Sequence, residues 1–130
     1  MIKRAKYVVK TRPIGAPRMT KRDKWAKRPC VVDYFAYRDV LRLSVGKLPD
    51  ADSVTEFSFQ AFFRAKNKED IGSFHRAKPD LDNIQKGILD ALFAKDQGIA
   101  RCVQEKRWGL EDCIIIEIAW EVPDEVETQS

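Results

Sequence analysis

The chain has 130 residues, of which 34% are charged and 44% are hydrophobic, so it is long enough for one globular domain with its own core. No apolar run approaches the length that spans a membrane, and the basic N-terminus lacks the apolar stretch of a secretion signal. The three cysteines, Cys30, Cys102 and Cys113, form no CxxC pair. A disulfide framework and a zinc site are therefore disfavoured, and a reducing cytoplasm is the expected location.

Charge is unevenly distributed along the chain, although the net charge is only +4. Residues 1–30 carry 11 Lys/Arg and one acidic residue, whereas residues 110–130 carry seven acidic residues and no Lys or Arg. A concentrated basic segment attracts a polyanion, most often a nucleic acid. A solvated basic extension is the alternative interpretation of 1–30, and residues 122–130 are predicted to form a frayed acidic tail.

The first third of the chain predicts a strand, a loop and a helix. Residues 2–10 alternate loosely and favour a strand, and the three prolines and one glycine of 11–29 favour a loop. Residues 31–43 have apolar residues at helical spacing. The predicted apolar face consists of Val32, Phe35, Ala36, Val40 and Leu43. A second face of the same predicted helix carries Tyr34, Arg38 and Arg42.

The rest of the chain predicts three strands and one helix. Residues 54–63 alternate strictly, and 64–78 are polar and irregular. A helix is predicted from about 81 to 93, a weaker strand over 99–108 and a strong strand over 112–120. The inward-facing side chains are expected to be Phe57, Phe59, Ala61 and Phe63 in one strand and Ile114, Ile116, Ile118 and Trp120 in another. The pattern predicts an α+β protein with a small sheet and two main helices in a single domain, 1–130.

The stretch KPDLDNIQKGILDAL, residues 78–92, places two aspartates at the start of the second predicted helix. Pro79 suits a position just before a helix, and Asp80 or Asp82 can serve as its N-cap. One N-cap does not explain two carboxylates so close together, because they repel each other. A divalent cation between them removes this repulsion, and Mg²⁺ prefers such carboxylate oxygens. The pair is therefore a candidate metal site.

Charged residues on the same helix extend this candidate site. Asp82, Lys86 and Asp90 recur every four residues and share one polar face. Lys86 either forms a simple salt bridge on that face or provides a cation that holds a phosphate during P–O bond cleavage. Asp90 is expected to pair with Lys86 or to cap a backbone group.

A metal site for phosphodiester cleavage usually has a third carboxylate from another segment. Asp96 in the loop after the helix is the better candidate, and a common turn aspartate is its alternative interpretation. Glu105 is a weaker candidate, because 105–107 can equally be a solvated strand face.

Other metal or catalytic motifs do not fit the sequence. An EF-hand loop starting at Asp80 would need a glycine and a glutamate where Gln85 and Ala91 stand. A sugar-nucleotide site of the DxD type would sit in a larger α/β domain. His75 is the only histidine and is interpreted as a loop residue.

These residues resemble the RusA family of Holliday junction endonucleases of bacteria and phages. That family has a K-x-D-x-D-N-x-x-K motif at a helix start, which Asp80, Asp82, Asn83 and Lys86 match position by position. Asp96 in KDQGI matches the second aspartate of a downstream pair, whose first position is Lys95 here, and Gly98 stands where the family tends to have glutamine. The clear match covers residues 78–109 and includes EKRWG, residues 105–109, which resembles the strand that follows. Weaker similarity extends over 12–42, where RPIGAPR, residues 12–18, resembles the family's N-terminal loop.

The resemblance implies a RusA-like mixed α/β homodimer that cuts four-way DNA junctions in DNA recombination and repair. Its cofactor would be Mg²⁺ or Mn²⁺ held by Asp80, Asp82 and Asp96, with Lys86 also in the catalytic site. Two sites related by a twofold axis suit symmetric nicks in two strands. The expected DNA-binding residues are Arg18, Lys21, Arg22, Lys24, Trp25 and Lys78. Trp25 can alternatively anchor its loop in the core.

Two other functions remain open at this point. A non-catalytic DNA-binding module would account for the basic N-terminus but would leave the aspartates unexplained. A metal-dependent nuclease for flaps or other branched DNA would use the same aspartates on a different substrate.

Overall fold

The computed structural model describes residues 1–17 and 29–123. In chain order, the helices and strands are β1 (Ile2–Val9), α1 (Pro29–Val45), β2 (Val54–Arg64), α2 (Leu81–Leu92), β3 (Cys102–Gly109) and β4 (Cys113–Glu121). Short 3-10 turns occupy Ala51–Ser53, Lys68–Asp70 and Asp96–Gly98. The predicted strands and both helices are therefore present, with ends that lie within three residues of the sequence expectation. None of the described helices is long and apolar enough to cross a membrane.

The four strands form one mixed sheet in the order β1-β4-β2-β3. β4 pairs antiparallel with both β1 and β2, whereas β2 and β3 run parallel. A parallel pair needs a crossover connection, and α2 provides it between β2 and β3. Over the residues that the structure describes, the fold is α+β with two α-helices and a small mixed sheet, as the sequence predicts.

The hydrophobic core combines both helices with one face of the sheet. The alternating side chains of β2 and β4 provide the sheet side of this core, because successive strand residues point to opposite faces. The fully buried members are Phe57, Phe59, Ala61, Phe63, Ile114, Ile116 and Ile118. These seven positions are the inward-facing residues that the alternation predicts, and Trp120 packs against them partly buried.

The buried face of α1 differs from the predicted one. The buried residues are Val31, Tyr34, Tyr37, Leu41 and Val45. In contrast, Val32, Phe35, Val40 and Leu43 are exposed, Leu43 to 86% of its surface. The prediction for this helix was wrong because α1 carries apolar residues on two opposite faces, and the two tyrosines decide which face packs inward.

Arg38 and Arg42 of α1 bond to the C-terminal end of α2. Arg38 Nη2 donates to the carbonyl of Asp90 at 3.0 Å, and Arg42 Nε donates to the carbonyl of Ala91 at 2.8 Å. The last carbonyls of a helix lack intrahelical partners and carry partial negative charge. The two arginines satisfy these carbonyls, so they have a structural role at the end of α2.

Candidate active site

The two aspartates of the motif lie at the N-terminal end of α2. Asp80 occupies the N-cap position with extended backbone, but its side chain makes no capping hydrogen bond. Asp82 lies in the first turn, exposed, and its Oδ1 accepts a hydrogen bond from the Asn83 backbone N–H at 3.0 Å. Capping therefore does not account for the Asp80 carboxylate, and a second oxygen of Asp82 faces no donor within the described residues.

The two lysines beside these aspartates, Lys78 and Lys86, have no acidic partner among the residues at 1–17 and 29–123. Lys86 is exposed on α2 and forms no salt bridge with Asp82 or Asp90, although both are four residues away. Lys78 is likewise exposed and unpaired in this part of the chain. The expected pairing of Asp90 with Lys86 is absent there. The simple salt-bridge interpretation of Lys86 therefore has no support.

A cleft of about 470 Å³ lies directly beside Asp80. One wall is the loop after β1, and the other is the segment that enters α2. The lining residues are Arg12, Pro13, Ile14, Gly15, Ala16, Lys78, Pro79, Asp80 and Asn83. This volume is within the range of ligand sites, and its combination of cations, one carboxylate and an apolar floor suits a nucleotide unit.

The loop and the helix start that form this cleft are in close contact. The Ala16 backbone N–H donates to the Asn83 carbonyl at 3.1 Å. A Cβ atom on Gly15 would lie 2.9 Å from Pro79 Cβ and 3.4 Å from Asn83 Cβ. The cleft therefore depends on a glycine at position 15, and it brings Arg12 to the motif. Sequence spacing does not predict Arg12 as a site residue, because its proximity to Asp80 is a tertiary contact.

The irregular segment at 72–75, which precedes the aspartate motif, runs along the outer edge of β3. The Trp108 N–H donates to the Ser73 carbonyl, the Gly72 N–H to the Trp108 carbonyl, and the His75 N–H to the Lys106 carbonyl. The His75 ring, only 5% exposed, stacks 4.1 Å from the Phe63 ring and lies 4.3 Å from the Trp108 ring. His75 lies in an irregular segment as expected, but its burial was not foreseen.

Asp96 lies away from the other two aspartates within one chain. It begins the Asp96–Gly98 turn beyond the C-terminal end of α2, and it lines a separate pocket with Arg38, Arg42 and Asp90. A 12-residue helix is about 18 Å long, and Asp80 stands at its opposite end. No group of three or more His, Cys, Asp or Glu side chains suited to a metal ion occurs among the described residues. A single chain therefore brings together Asp80 and Asp82, but not Asp96.

Glu105, the weaker acidic candidate, is already engaged on β3. Gln60 Nε2 donates to its Oε1, and Arg107 Nη2 lies 3.2 Å from its Oε2. The hydrogen bonds from Arg107 and then Gln60 lower the pKa of this carboxyl. Glu105 therefore belongs to a paired strand face. The predicted DNA-binding residues Arg18, Lys21, Arg22, Lys24 and Trp25 lie outside the described residues.

Comparison with known proteins identifies the family. No curated protein matches the chain. A family model described as Endodeoxyribonuclease RusA matches residues 15–119 of the 130, which include the cleft-lining loop from Gly15 onward, the aspartate motif and all of α1, α2, β2 and β3. A match of this extent assigns the chain as a whole: it belongs to the RusA family of endodeoxyribonucleases.

Proposed function

We propose that the chain is a metal-dependent endonuclease that resolves four-way DNA junctions by paired, symmetric nicks. The observation that carries this proposal is the start of α2. There, Asp80 and Asp82 present carboxylate oxygens unused by capping or ion pairs, next to Lys78 and Lys86 with no acidic partner in the described chain. Uncompensated charges of both signs at one exposed point suit a metal ion and a phosphate better than they suit stability alone.

The donor set fits a hard divalent cation. Both candidate ligands are carboxylates, which Mg²⁺ and Mn²⁺ prefer, and both are exposed, so the ion can keep several waters. When bound, such a cation makes an attacking water more acidic and neutralises charge on the leaving oxygen. Asp80 and Asp82 would hold it from one chain.

The basic residues around the carboxylates would bind and orient DNA. Lys86, one turn along the exposed side of α2 from Asp82, would stabilise the negative charge that develops on the phosphate. Arg12 and Lys78 line the cleft beside Asp80 and would hold a phosphate of the same strand. The cleft would accommodate a nucleotide next to the scissile bond, which suits a branched substrate whose bases are partly unstacked.

The proposed unit is a homodimer, for two reasons. Symmetric nicks in two strands of like polarity need two sites related by a twofold axis. In addition, Asp96 stands a helix length from Asp80 and Asp82, so it can join them only from a second copy of the chain. We propose that each metal site combines Asp80 and Asp82 of one chain with Asp96 of the other.

The exposed face of α1 is the best candidate for the surface between the two copies. Val32, Phe35, Val40 and Leu43 form an apolar stripe on the side opposite the core. Contiguous apolar stripes of this kind mark association surfaces. Ala36 lies within the stripe and would let two α1 helices approach closely across a twofold axis.

Cleavage of a synthetic four-way junction, with and without Mg²⁺, tests the proposal. Wild-type protein should nick two opposed strands only with the metal. Asp82→Asn should abolish cleavage and keep or improve junction binding, because repulsion between carboxylate and phosphate falls. Asp50→Asn, an exposed aspartate outside the cleft, is the control and should cut normally. Normal cleavage by Asp82→Asn would refute the metal site.

The same assay separates the remaining alternatives. A non-catalytic DNA-binding module would bind the junction and cut nothing under any metal condition. A nuclease for other branched DNA would cut flap substrates faster than junctions at equal enzyme concentration. We expect junction cleavage to exceed cleavage of both flap and linear duplex.

A further inference from the structure

Lys106 occupies an unusual position for a lysine in a sheet. It lies on β3 opposite Ala61 of β2, and Ala61 is fully buried in the core, so the Lys106 side chain starts from the helix-covered side of the sheet. Lysine is rarely placed on the inner side unless its ammonium finds partners. Inward-pointing lysines can also protect an edge strand from unwanted pairing. Here the segment at 72–75 already pairs with the edge of β3, so protection of that edge does not explain Lys106.

The ammonium of Lys106 bonds to the chain immediately before the motif. Its Nζ donates to the Ala77 carbonyl at 2.7 Å and to the Pro79 carbonyl at 2.9 Å. These distances are typical of charge-assisted hydrogen bonds, which are stronger than neutral ones. Two of the three ammonium donors therefore hold the two carbonyls that flank Lys78.

The Pro79 carbonyl belongs to the peptide unit that ends at the nitrogen of Asp80. On its other side, Asp80 is fixed by its own carbonyl, which accepts the Ile84 N–H at 3.1 Å. The Asp80 side chain makes no bond of its own in the described structure, so only its backbone fixes its position. Pro79 has no N–H that could provide a further anchor. The position of the backbone just before Asp80 thus depends on the Lys106 hydrogen bonds and on the contact between Gly15 and Pro79.

We infer that Lys106 is a positioning residue for the proposed metal site: its ammonium holds the backbone on which Asp80 stands, without touching metal or DNA. This inference rests on the proposed function. Residues that orient metal ligands typically change metal affinity or activity by about ten- to a hundredfold when they are replaced.

Direct metal binding distinguishes positioning from a simple effect of charge. Removing a cation near two carboxylates should, by electrostatics alone, make a divalent cation bind more tightly. Loss of positioning should make it bind more weakly. The two explanations therefore predict opposite signs for the same variant, and the sign can be measured without DNA.

The experiment is titration of the protein with Mn²⁺ followed by electron paramagnetic resonance of the free ion. Lys106→Met should raise the Mn²⁺ dissociation constant about ten- to a hundredfold. Lys106→Arg, which keeps charge and donors, should bind close to the wild-type affinity. Lys106→Gln keeps two neutral N–H donors, so its Mn²⁺ dissociation constant should fall between those of the Arg and Met variants. Lys3→Met, on the opposite edge strand β1, is the matched control and should bind like wild type.

The possible outcomes are distinct. Suppose that wild type binds Mn²⁺ and that Asp82→Asn weakens this binding. If Lys106→Met then binds Mn²⁺ as tightly as wild type or more tightly, this inference is overturned and the proposed function is not. Wild-type protein that binds no Mn²⁺ overturns the proposed function and this inference with it. If Lys106→Met melts below the assay temperature, the Arg and Gln variants decide: equal affinity in both contradicts a role for the charge-assisted bonds.

Discussion

Lys86 lies one helical turn after Asp82 on the exposed side of α2, with no acidic partner in the described chain. An exposed lysine of this kind contributes little to stability. Lys86→Ala should therefore melt like wild type and bind a junction nearly as well. If the lysine stabilises charge on the reacting phosphate, single-turnover cleavage should fall by about two to three orders of magnitude.

Two further variants sharpen this test. Lys86→Arg keeps the charge but changes its shape, so we expect partial activity. Lys47→Ala removes another exposed lysine, from the loop after α1, and should cut normally. A wild-type cleavage rate for Lys86→Ala would reduce Lys86 to a solvated charge on the helix.

His75 predicts a pH dependence of stability. Burial is the main reason that its pKa lies below the ordinary 6.5, and the charges of Lys106 and Arg12 lower it further. Below about pH 6.5 the unfolded chain therefore binds a proton more readily than the folded one. The contribution of neutral His75 to stability is present above that pH and is lost as the pH falls through the lower folded-state pKa.

Urea unfolding of wild type and His75→Phe, from about pH 8 to about pH 5, measures this effect. Phenylalanine can stack with Phe63 and Trp108 but does not titrate. Wild type should lose stability relative to His75→Phe as the pH falls, because only wild type carries the histidine. A constant difference between the two proteins would mean that His75 does not titrate in this range.

At the level of single residues, the sequence best predicts the functional side chains that lie close together in the chain. Asp80, Asp82 and Lys86 lie within seven residues, so helical spacing alone predicts that they share the start of α2. The two hydrogen bonds of Lys106 join residues that are 27 and 29 positions apart in the chain. They also require the parallel pairing of β2 with β3, so no local pattern predicts them.

At the level of elements, Gly15 determines how the loop after β1 meets the start of α2. Gly15→Ala would place a methyl group within 2.9 Å of Pro79 Cβ, closer than such atoms approach, so the loop must move. We expect the fold to persist with modest loss of stability, while junction cleavage falls more than junction binding, because Arg12 shifts relative to Asp80.

The matched control is Gly46→Ala, at the end of α1, where the added Cβ meets nothing within 4 Å but φ is +75°. That variant should lose stability through backbone strain and keep its cleavage rate per folded molecule. Equal cleavage by Gly15→Ala and wild type would show that the loop position does not matter to the site.

The helices differ in how far the sequence predicts them. In α2, apolar residues occupy one face, and spacing predicts a buried stripe of Ile84, Ile88, Leu89 and Leu92. The first three are buried and Leu92 is partly buried against the core. In α1, apolar residues lie on opposite faces, and periodicity cannot choose between them. Packing against α2 and β1 makes that choice, through Tyr34 and Tyr37.

Gly98, where the resemblance in sequence would place a glutamine, is closely surrounded by the turn at Ala51–Ser53. The Asp96–Gly98 turn packs on the Ala51–Ser53 turn, and a Cβ on Gly98 would lie 2.8 Å from the Asp52 backbone nitrogen and closer still to Asp52 Oδ1. A glutamine there would force one of the two turns to shift. The sequence alone gives no sign of it, since the two turns are more than 40 residues apart.

For the whole molecule, the proposed sharing of each metal site between two chains makes a specific prediction. A mixed dimer of one Asp82→Asn chain and one Asp96→Asn chain has both substitutions in one shared site and none in the other. It should therefore nick one strand of a junction, whereas each pure mutant dimer should nick none. Dimers purified with two different affinity tags and tested on end-labelled junctions provide the measurement.

If all three aspartates acted within a single chain, the same mixed dimer would have a defect in each site and would cut neither strand. The sequence predicts that Asp96 follows α2, but it does not predict the distance between Asp96 and Asp80. That distance follows from α2, which runs as one unbroken helix between them. The order β1-β4-β2-β3 is likewise a property of the assembled sheet. Chain order would suggest a hairpin of β3 with β4, which β2 separates.

In the proposed homodimer, the apolar stripe on α1 would also make the activity depend on the protein's own abundance. If Leu43 and its neighbours are buried only when two chains meet, folding and association are linked by mass action, and the melting temperature should rise with total protein concentration. Leu43→Glu should remove that dependence. At low copy number most chains would be inactive monomers, and the cutting activity would grow roughly with the square of expression, so dilution alone would restrain a DNA-cleaving enzyme.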